Sequence, residues 1–330
     1  MTVQITIVGL GQIGTSVGLA LADHQDTLYR VGHDREISIA KHAQKLGALD
    51  KTKINLPSAV KDADLVLLSL PMDQIHETLS VIAQDLKPGA VVMDTSPVKQ
   101  ALADWAQELL PEERYYVGLT PVLNPEYLHG IGSGMEAAHK DLFRDGLMAI
   151  VAPSGMPSEA LKLAADLTRL LGAEILFADL LEIDGLMAAT HTLPQLMAAA
   201  LLNATVDQPG WWEGRKVAGR SYAEVASTIH HSPSAESLSA TALLNRENVV
   251  RVIDGVIGSL QTIRNEIEKD ESEILAKRLA RARRGYDEWW RQRLTSDWVG
   301  EGPQEYDASN ESDYFGRLLG IRKRKKEEED

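Results

Sequence analysis

The chain contains no cysteine, so neither a disulfide framework nor a thiolate metal site is open to it. Aromatic residues make up only 5% of it, with three phenylalanines, so aliphatic side chains must fill most of its core. Basic residues are also in deficit: 34 Lys and Arg stand against 48 Asp and Glu, a net charge of -14. Nucleic acid is thereby excluded as a general partner, because phosphate binding needs a positive field. A small anion held by a few local cations is not excluded. No window offers the ~18 to 20 uncharged apolar residues of a spanning helix. Residues 1–8 carry neither a basic leader nor a long apolar stretch. The expectation is a soluble, cytoplasmic protein with no membrane partner and no secretory signal.

What is present is length and pattern. The chain has 330 residues, 44% of them apolar, which suits two domains. Up to residue 152, short apolar runs alternate with amphipathic stretches, the sign of βαβ units around a parallel sheet. Strands are predicted at 3–8, 29–33, 65–69, 90–94, 115–119 and 147–152, with helices at 13–21, 36–46, 72–83 and 98–110. A helix at 158–171 and a short strand near 174–177 follow. The fold class is therefore α/β, a Rossmann-type doubly wound parallel sheet followed by an all-helical second domain. The predicted divisions are 1–178 for dinucleotide binding, 179–295 for a helical substrate and dimerisation domain, and 296–330 for a polar tail with a short helix near 314–319. The run 180–204 is apolar nearly all round, which marks a buried spine, with a kink expected at Pro194. The apolar breadth of 180–204 and 238–267 exceeds what one small domain must bury, and this predicts a homodimer through the helical domain.

Gly9-Leu10-Gly11-Gln12-Ile13-Gly14 follows a β-branched run and opens a helical pattern, the context that a phosphate-cradling GxGxxG turn requires. The first glycine permits the tight turn, the second lets backbone approach a pyrophosphate, and the third lets helix and strand pack closely. Asp34 lies at the end of the second strand, where a carboxylate accepts from the adenine ribose hydroxyls. It favours NAD, since it would repel a 2′-phosphate; the neighbouring Arg35 leaves NADP open. Ser69-Leu70-Pro71 and Thr95-Ser96-Pro97 sit just beyond strand ends, where such sheets place their ligands, or else they are ordinary loop and cap residues.

Taken with the strand-end Asp94 followed by Ser96 and Lys99, the Pro121 turn, the Leu193-Pro194 pair and the stretch Leu244-Asn245-Arg246-Glu247-Asn248-Val249, the chain resembles the prephenate and arogenate dehydrogenase family over residues 3–295. The resemblance implies oxidative decarboxylation of a small carboxylate, in which the nicotinamide takes a hydride, a base takes the hydroxyl proton and carbon dioxide leaves. It also implies a histidine for the substrate hydroxyl, at the position where this chain has Thr120. The family's Ser-His-Leu-Pro-His stretch reads His191-Thr192-Leu193-Pro194-Gln195, and its substrate arginine is not at the expected place near 220–226. His191, Thr120 and Lys99 are the catalytic candidates. Ser96, Lys99, Gln195, Arg220 and Arg246 are candidates for the substrate, with Arg215 and Lys216 as further anion clamps. A one-residue shift would turn His191 by ~100° around the helix, away from the site unless the turn there is distorted. His129, His139, His230 and His231 have no metal-ligand spacing, and no metal is expected. Two alternatives stay open: a dehydrogenase or reductase of another small carboxylate, and a dinucleotide-binding protein without catalysis.

Overall fold

A computed structural model describes residues 2–130, 132 and 134–295. The predicted tail, with its helix near 314–319, lies outside the described residues. The chain divides into two compact units, Met1–Asn245 and Arg246–Asp330.

In the first unit, β1 (Val3–Val8), α1 (Gln12–Ala20), β2 (Leu28–His33), α2 (Ile37–Lys45), β3 (Lys51–Thr52), α3 (Leu56–Val60), β4 (Leu65–Leu68), α4 (Met72–Ile82), β5 (Val91–Asp94), α5 (Gln100–Leu109), β6 (Tyr115–Val122), β7 (Leu147–Val151), α6 (Ser158–Leu170) and β8 (Glu174–Phe177) alternate along the chain. The strands form one sheet in the order β3-β2-β1-β4-β5-β6-β7-β8. Their side chains point alternately to opposite faces, and both faces are covered. Ile5, Ile7, Leu65 and Leu67 pack with α1, α2 and α6, whereas Val8, Val66 and Leu68 pack with α3, α4 and α5. This two-sided burial explains why β4 reads as a continuous apolar run.

The sheet is not wholly parallel as expected: β6 and β7 run antiparallel, with Thr120 opposite Ala149. Parallel neighbours need a crossover, normally a helix. Among the described residues, the segment between β6 and β7 provides only the short turns Pro125–Tyr127 and Gly134–Ala137, so the chain returns beside β6 in the opposite sense. The two-residue β3 and the short α3, capped by the Asn55 side chain on Ser58 N–H, are too brief to carry a period and escape sequence reading.

Beyond β8 come α7 (Leu180–Met187), a π-helical segment Ala188–Thr192, α8 (Leu193–Thr205), α9 (Trp211–Val217), α10 (Arg220–Ser227) and α11 (Ala235–Leu244). The expected irregularity in the long helix therefore falls on the turn before Pro194. By length and mean hydropathy the run Leu180–Thr205 does suffice to cross a membrane, contrary to the sequence expectation, because averaging dilutes its acids. Within the fold it is not the buried spine that the sequence suggests, since only 22% of that window is buried; its buried Asp184 accepts at the mouth of α5, and Ile183 packs on Ala149 and Val151. In the second unit, α12 (Arg246–Glu268) and α13 (Ser272–Thr295) contact each other through the Arg278–Glu266 pair.

Candidate active site

Gly9 adopts φ +92, and a Cβ there would run into the Ser69 carbonyl. A Cβ on Gly14 would collide with the carbonyl oxygen of Gly9. Gly11 differs: a Cβ added to it meets nothing within 4 Å. The first and third glycines are thus demanded by the fold itself, whereas the second borders open space. Gly11 caps α1 without any side-chain hydrogen bond, so the amides at this helix mouth, those of Gln12 and Ile13 included, face that space with the positive end of the helix dipole. Asp34 stands beside them, its Oδ2 accepting Leu10 N–H at 2.9 Å and its Oδ1 accepting Glu36 N–H at 2.9 Å. This arrangement fits a dinucleotide, with the pyrophosphate on the mouth of α1 and the ribose at Asp34. Arg35 is exposed next to it.

Ser69, Leu70, Pro71 and Thr95 lie half-buried just past β4 and β5, on the same sheet edge. Ser96 is turned inward: its hydroxyl lies 2.5 Å from Asp94 Oδ1 and 3.0 Å from the Val98 carbonyl oxygen. Lys99 is fully buried and donates to Asp94 Oδ1 at 2.8 Å, to the Leu119 carbonyl at 2.7 Å and to the Asp94 carbonyl at 3.3 Å. Three donors meet three acceptors, which leaves the ammonium nothing to offer a substrate carboxylate. Tyr116 completes the cluster, donating to Asp94 Oδ2 at 2.6 Å. Burial, reinforced by the Asp94 carboxylate, pushes the Tyr116 phenol well above its ordinary range, while burial draws the Lys99 ammonium down against the pull of Asp94. Sequence reading took Lys99 as a ligand-facing group; the structure makes it a buried brace between β5 and β6.

Thr120 follows this brace on β6. Directly opposed residues in an antiparallel pair share a face, so its side chain lies on the face where Ala149 meets Ile183 of α7. It is 3% exposed, and its Oγ1 is buried without a hydrogen-bond partner. Gln195, 2% exposed, is also half satisfied: Nε2 donates to the His191 carbonyl at 3.0 Å, while Oε1 is buried with no partner. His191 precedes Gln195 by four residues, the spacing that puts side chains on one face of a helix. It belongs to the π segment, whose wider turn alters the direction of its side chain from that of a regular α-helix. Burial and nearby His231 hold its imidazole below the ordinary histidine range.

The cationic candidates fare less well. Arg220 is exposed and paired with Glu224 one turn along α10. Lys216 pairs with Glu213, and Arg215 stacks over the Trp212 ring at 3.7 Å. These side chains are engaged at the surface rather than gathered around the buried polar atoms. Arg246 is exposed at the start of the second unit. A cavity of about 340 Å³ beside Trp211 and Tyr222 includes none of the candidate residues. Among the described residues no group of three or more His, Asp and Glu could hold a metal.

Sequence reading missed the partners that the helical layer brings to the sheet. Asp184 is 3% exposed; its Oδ1 accepts Lys99 N–H at 2.6 Å and its Oδ2 accepts Gln100 N–H at 3.1 Å, across the mouth of α5. Burial raises its carboxyl above the usual range, opposed by those two bonds. Asn245 donates to the Asp184 carbonyl at 2.7 Å, and Ser237 accepts Met72 N–H at 3.1 Å, at the mouth of α4. A lone acid in an apolar helix was the available signal, because buried charge demands a partner.

Comparison with known proteins adds two sequence profiles in chain order. Residues 17–177 match that of the prephenate dehydrogenase nucleotide-binding domain, and residues 182–281 match that of the prephenate dehydrogenase dimerization domain. The first match begins after the glycine turn, so the cradle is an independent observation. The chain is 24% identical to the prephenate dehydrogenase of Bacillus subtilis over 273 residues, 82% of this chain and 72% of that protein. Its fold is that of prephenate dehydrogenase from A. aeolicus, solved in complex with hydroxyphenyl propionate and NAD+, at TM-score 0.75 and 21% identity, covering 87% of this chain and 98% of the other. Synechocystis arogenate dehydrogenase follows at TM-score 0.68 and 21% identity, covering 87% and 99%.

Proposed function

Since the chain belongs to the prephenate dehydrogenase family, we propose that it is an NAD-dependent dehydrogenase that oxidatively decarboxylates a cyclohexadienol carboxylate of the prephenate or arogenate type. The observation that carries this reading is the pairing of the two matched domains with an α1 mouth left open beside Asp34. When bound there, the nicotinamide supplies a hydride acceptor.

The chain's own groups do the rest. Amides at the mouth of α1 hold the pyrophosphate, and Asp34 orients the ribose and disfavours a 2′-phosphate. His191, kept unprotonated at neutral pH by its burial, accepts the proton of the substrate hydroxyl. Thr120 Oγ1 and Gln195 Oε1, which lack partners among the described residues, hydrogen-bond the substrate's polar groups and so become satisfied. The C4 hydride leaves the ring, the hydroxyl proton passes to the imidazole, and the carboxylate departs as carbon dioxide, its bonding pair closing the aromatic ring. Lys99 acts at one remove, holding the end of β6 through the Leu119 carbonyl.

Purified protein supplied with NAD or NADP and with prephenate or arogenate tests this. Reduction of the coenzyme is expected in at least one pairing, with NAD preferred, and no reduction in any of the four defeats the assignment. Neutral Thr120 and Gln195, at positions where the family resemblance implies histidines, favour a second reading, a dehydrogenase of another small carboxylate. Turnover confined to such acids would establish it. In either reading we place the protein in the cytoplasm as a homodimer through its helical region, a reading supported by the match to a dimerization domain; gel filtration reads the assembly directly.

A further inference from the structure

Helices α1, α4 and α5 open just past β1, β4 and β5, and their mouths are treated differently. Those of α4 and α5 begin at Pro71 and Lys99, neither of which caps its own helix with a side chain. Their free amides are instead met by side chains from the helical layer: Ser237 of α11 accepts from Met72, and Asp184 of α7 accepts from Lys99 and Gln100. The N-cap of α1 is a glycine, and among the described residues no side chain is seen to accept from the N–H of Gln12 or Ile13. A carboxylate across a helix N-terminus satisfies orphan N–H donors and the positive end of the dipole together. Asp184 is further held by Asn245 on its own carbonyl, and it precedes His191 by seven residues, two turns along the same helical run.

We propose that Asp184 is a positioning residue: by plugging the mouth of α5 it fixes the angle at which the α7–α8 run presents His191 and Gln195 to the crevice, with Ser237 as a second, weaker pin at α4. Of these three mouths, the two plugs close those of α4 and α5 to an anion and leave that of α1 for the pyrophosphate. The catalytic part of this inference rests on the dehydrogenase reading above, but the seating of the helix does not.

The test compares the full chain with Asp184→Ala, Asp184→Asn and Ser237→Ala by hydrogen exchange, NAD titration and steady-state kinetics. In Asp184→Ala the amides of Lys99 and Gln100 should exchange about fivefold faster or more, as expected for loss of a cap, with β1 and β4 amides unchanged and NAD affinity within about twofold of the parent. The kcat/KM for the carboxylate substrate should fall about tenfold through misplacement of the helix. Asp184→Asn, which keeps one acceptor oxygen, should lie between parent and alanine variant, and it serves as the test if the alanine variant fails to fold. Ser237→Ala should show the same pattern, weaker and centred on Met72. Exchange at Lys99 and Gln100 that stays at the parental rate overturns the proposal, as does a loss of NAD affinity that matches the loss of turnover. If the parent turns over no cyclohexadienol substrate, the function reading falls while the exchange and titration arms still decide the role of Asp184.

Discussion

The mouths of α1 and α5 point to the same sheet edge, yet one is bare and the other stoppered by a carboxylate delivered from the helical layer. At α1 the sequence spends its glycines on leaving backbone exposed to an incoming anion. At α5 it spends a buried acid, Asp184, on closing the site to one. The lesson is that a helix N-terminus becomes a ligand site only when nothing in the chain reaches it first. Structural precision and binding capacity are therefore divided between neighbouring elements of one sheet.

The sharpest way to break that contrast is at the glycines. Gly14→Ala drives a Cβ into the Gly9 carbonyl, so coenzyme binding should vanish and stability should drop by about 1–3 kcal/mol from overpacking. Gly11→Ala, whose Cβ enters open space, should melt like the parent yet bind NAD poorly. Fluorescence titration and thermal melts on the two variants separate a fold requirement from a ligand requirement, and equal melting behaviour would refute the distinction. On the stoppered side, Lys99→Met leaves Asp94 buried without its counter-charge. Breaking a buried pair from one side costs about 3–5 kcal/mol, which chemical denaturation would register. A loss as small as that of a surface lysine would mean that the brace is not part of the fold's stability.

How legible each side was follows from the same physics. The glycine turn, Asp34 and the apolar strands announce themselves locally, because backbone freedom and side-chain period are written in adjacent residues. The antiparallel return of β7 is not legible in the sequence, since β7 has the same apolar pattern whichever way it runs and its sense depends on the path of the chain from β6. The stoppers were invisible for a different reason: Asp184 meets Lys99 85 residues away, and Ser237 meets Met72 across 165. The burial of Lys99 is not legible from its surroundings in the chain, because Leu119 and Tyr116, which close the cluster around Asp94, come from β6. Among the candidate anion clamps, Arg220 lies at the surface on Glu224 one turn away and Arg215 lies over the Trp212 ring.

Thr120 sharpens the comparison more gently. A buried hydroxyl with no partner costs stability, and the isosteric Thr120→Val removes it, so the variant should be up to about 1 kcal/mol more stable. If the hydroxyl exists to meet a substrate, kcat/KM should fall about tenfold to hundredfold as that stability rises, because the substrate then loses a buried hydrogen bond. Opposite movement of the two quantities would mark a ligand site. Gain of stability with no change in turnover would make Thr120 an incidental packing residue.

The smallest effect concerns pH. His191 has its pKa lowered from 6.5 by burial and then by His231, so in the unfolded chain it takes up a proton more readily than in the folded one. The unfolded state therefore binds more protons as pH falls below 6.5, and stability must decline through that window, levelling off only beneath the depressed folded value. His191→Gln should flatten this part of the stability profile while leaving the plateau above neutrality in place, and urea midpoints across mildly acidic pH would show it. The same protonation should quench turnover on the acid side if the imidazole is the base. Coincidence of the two acid limbs, and their joint loss or displacement in the variant, would tie the widened turn of the helix to chemistry; a parental limb that survives the substitution unchanged would assign the titration to another group.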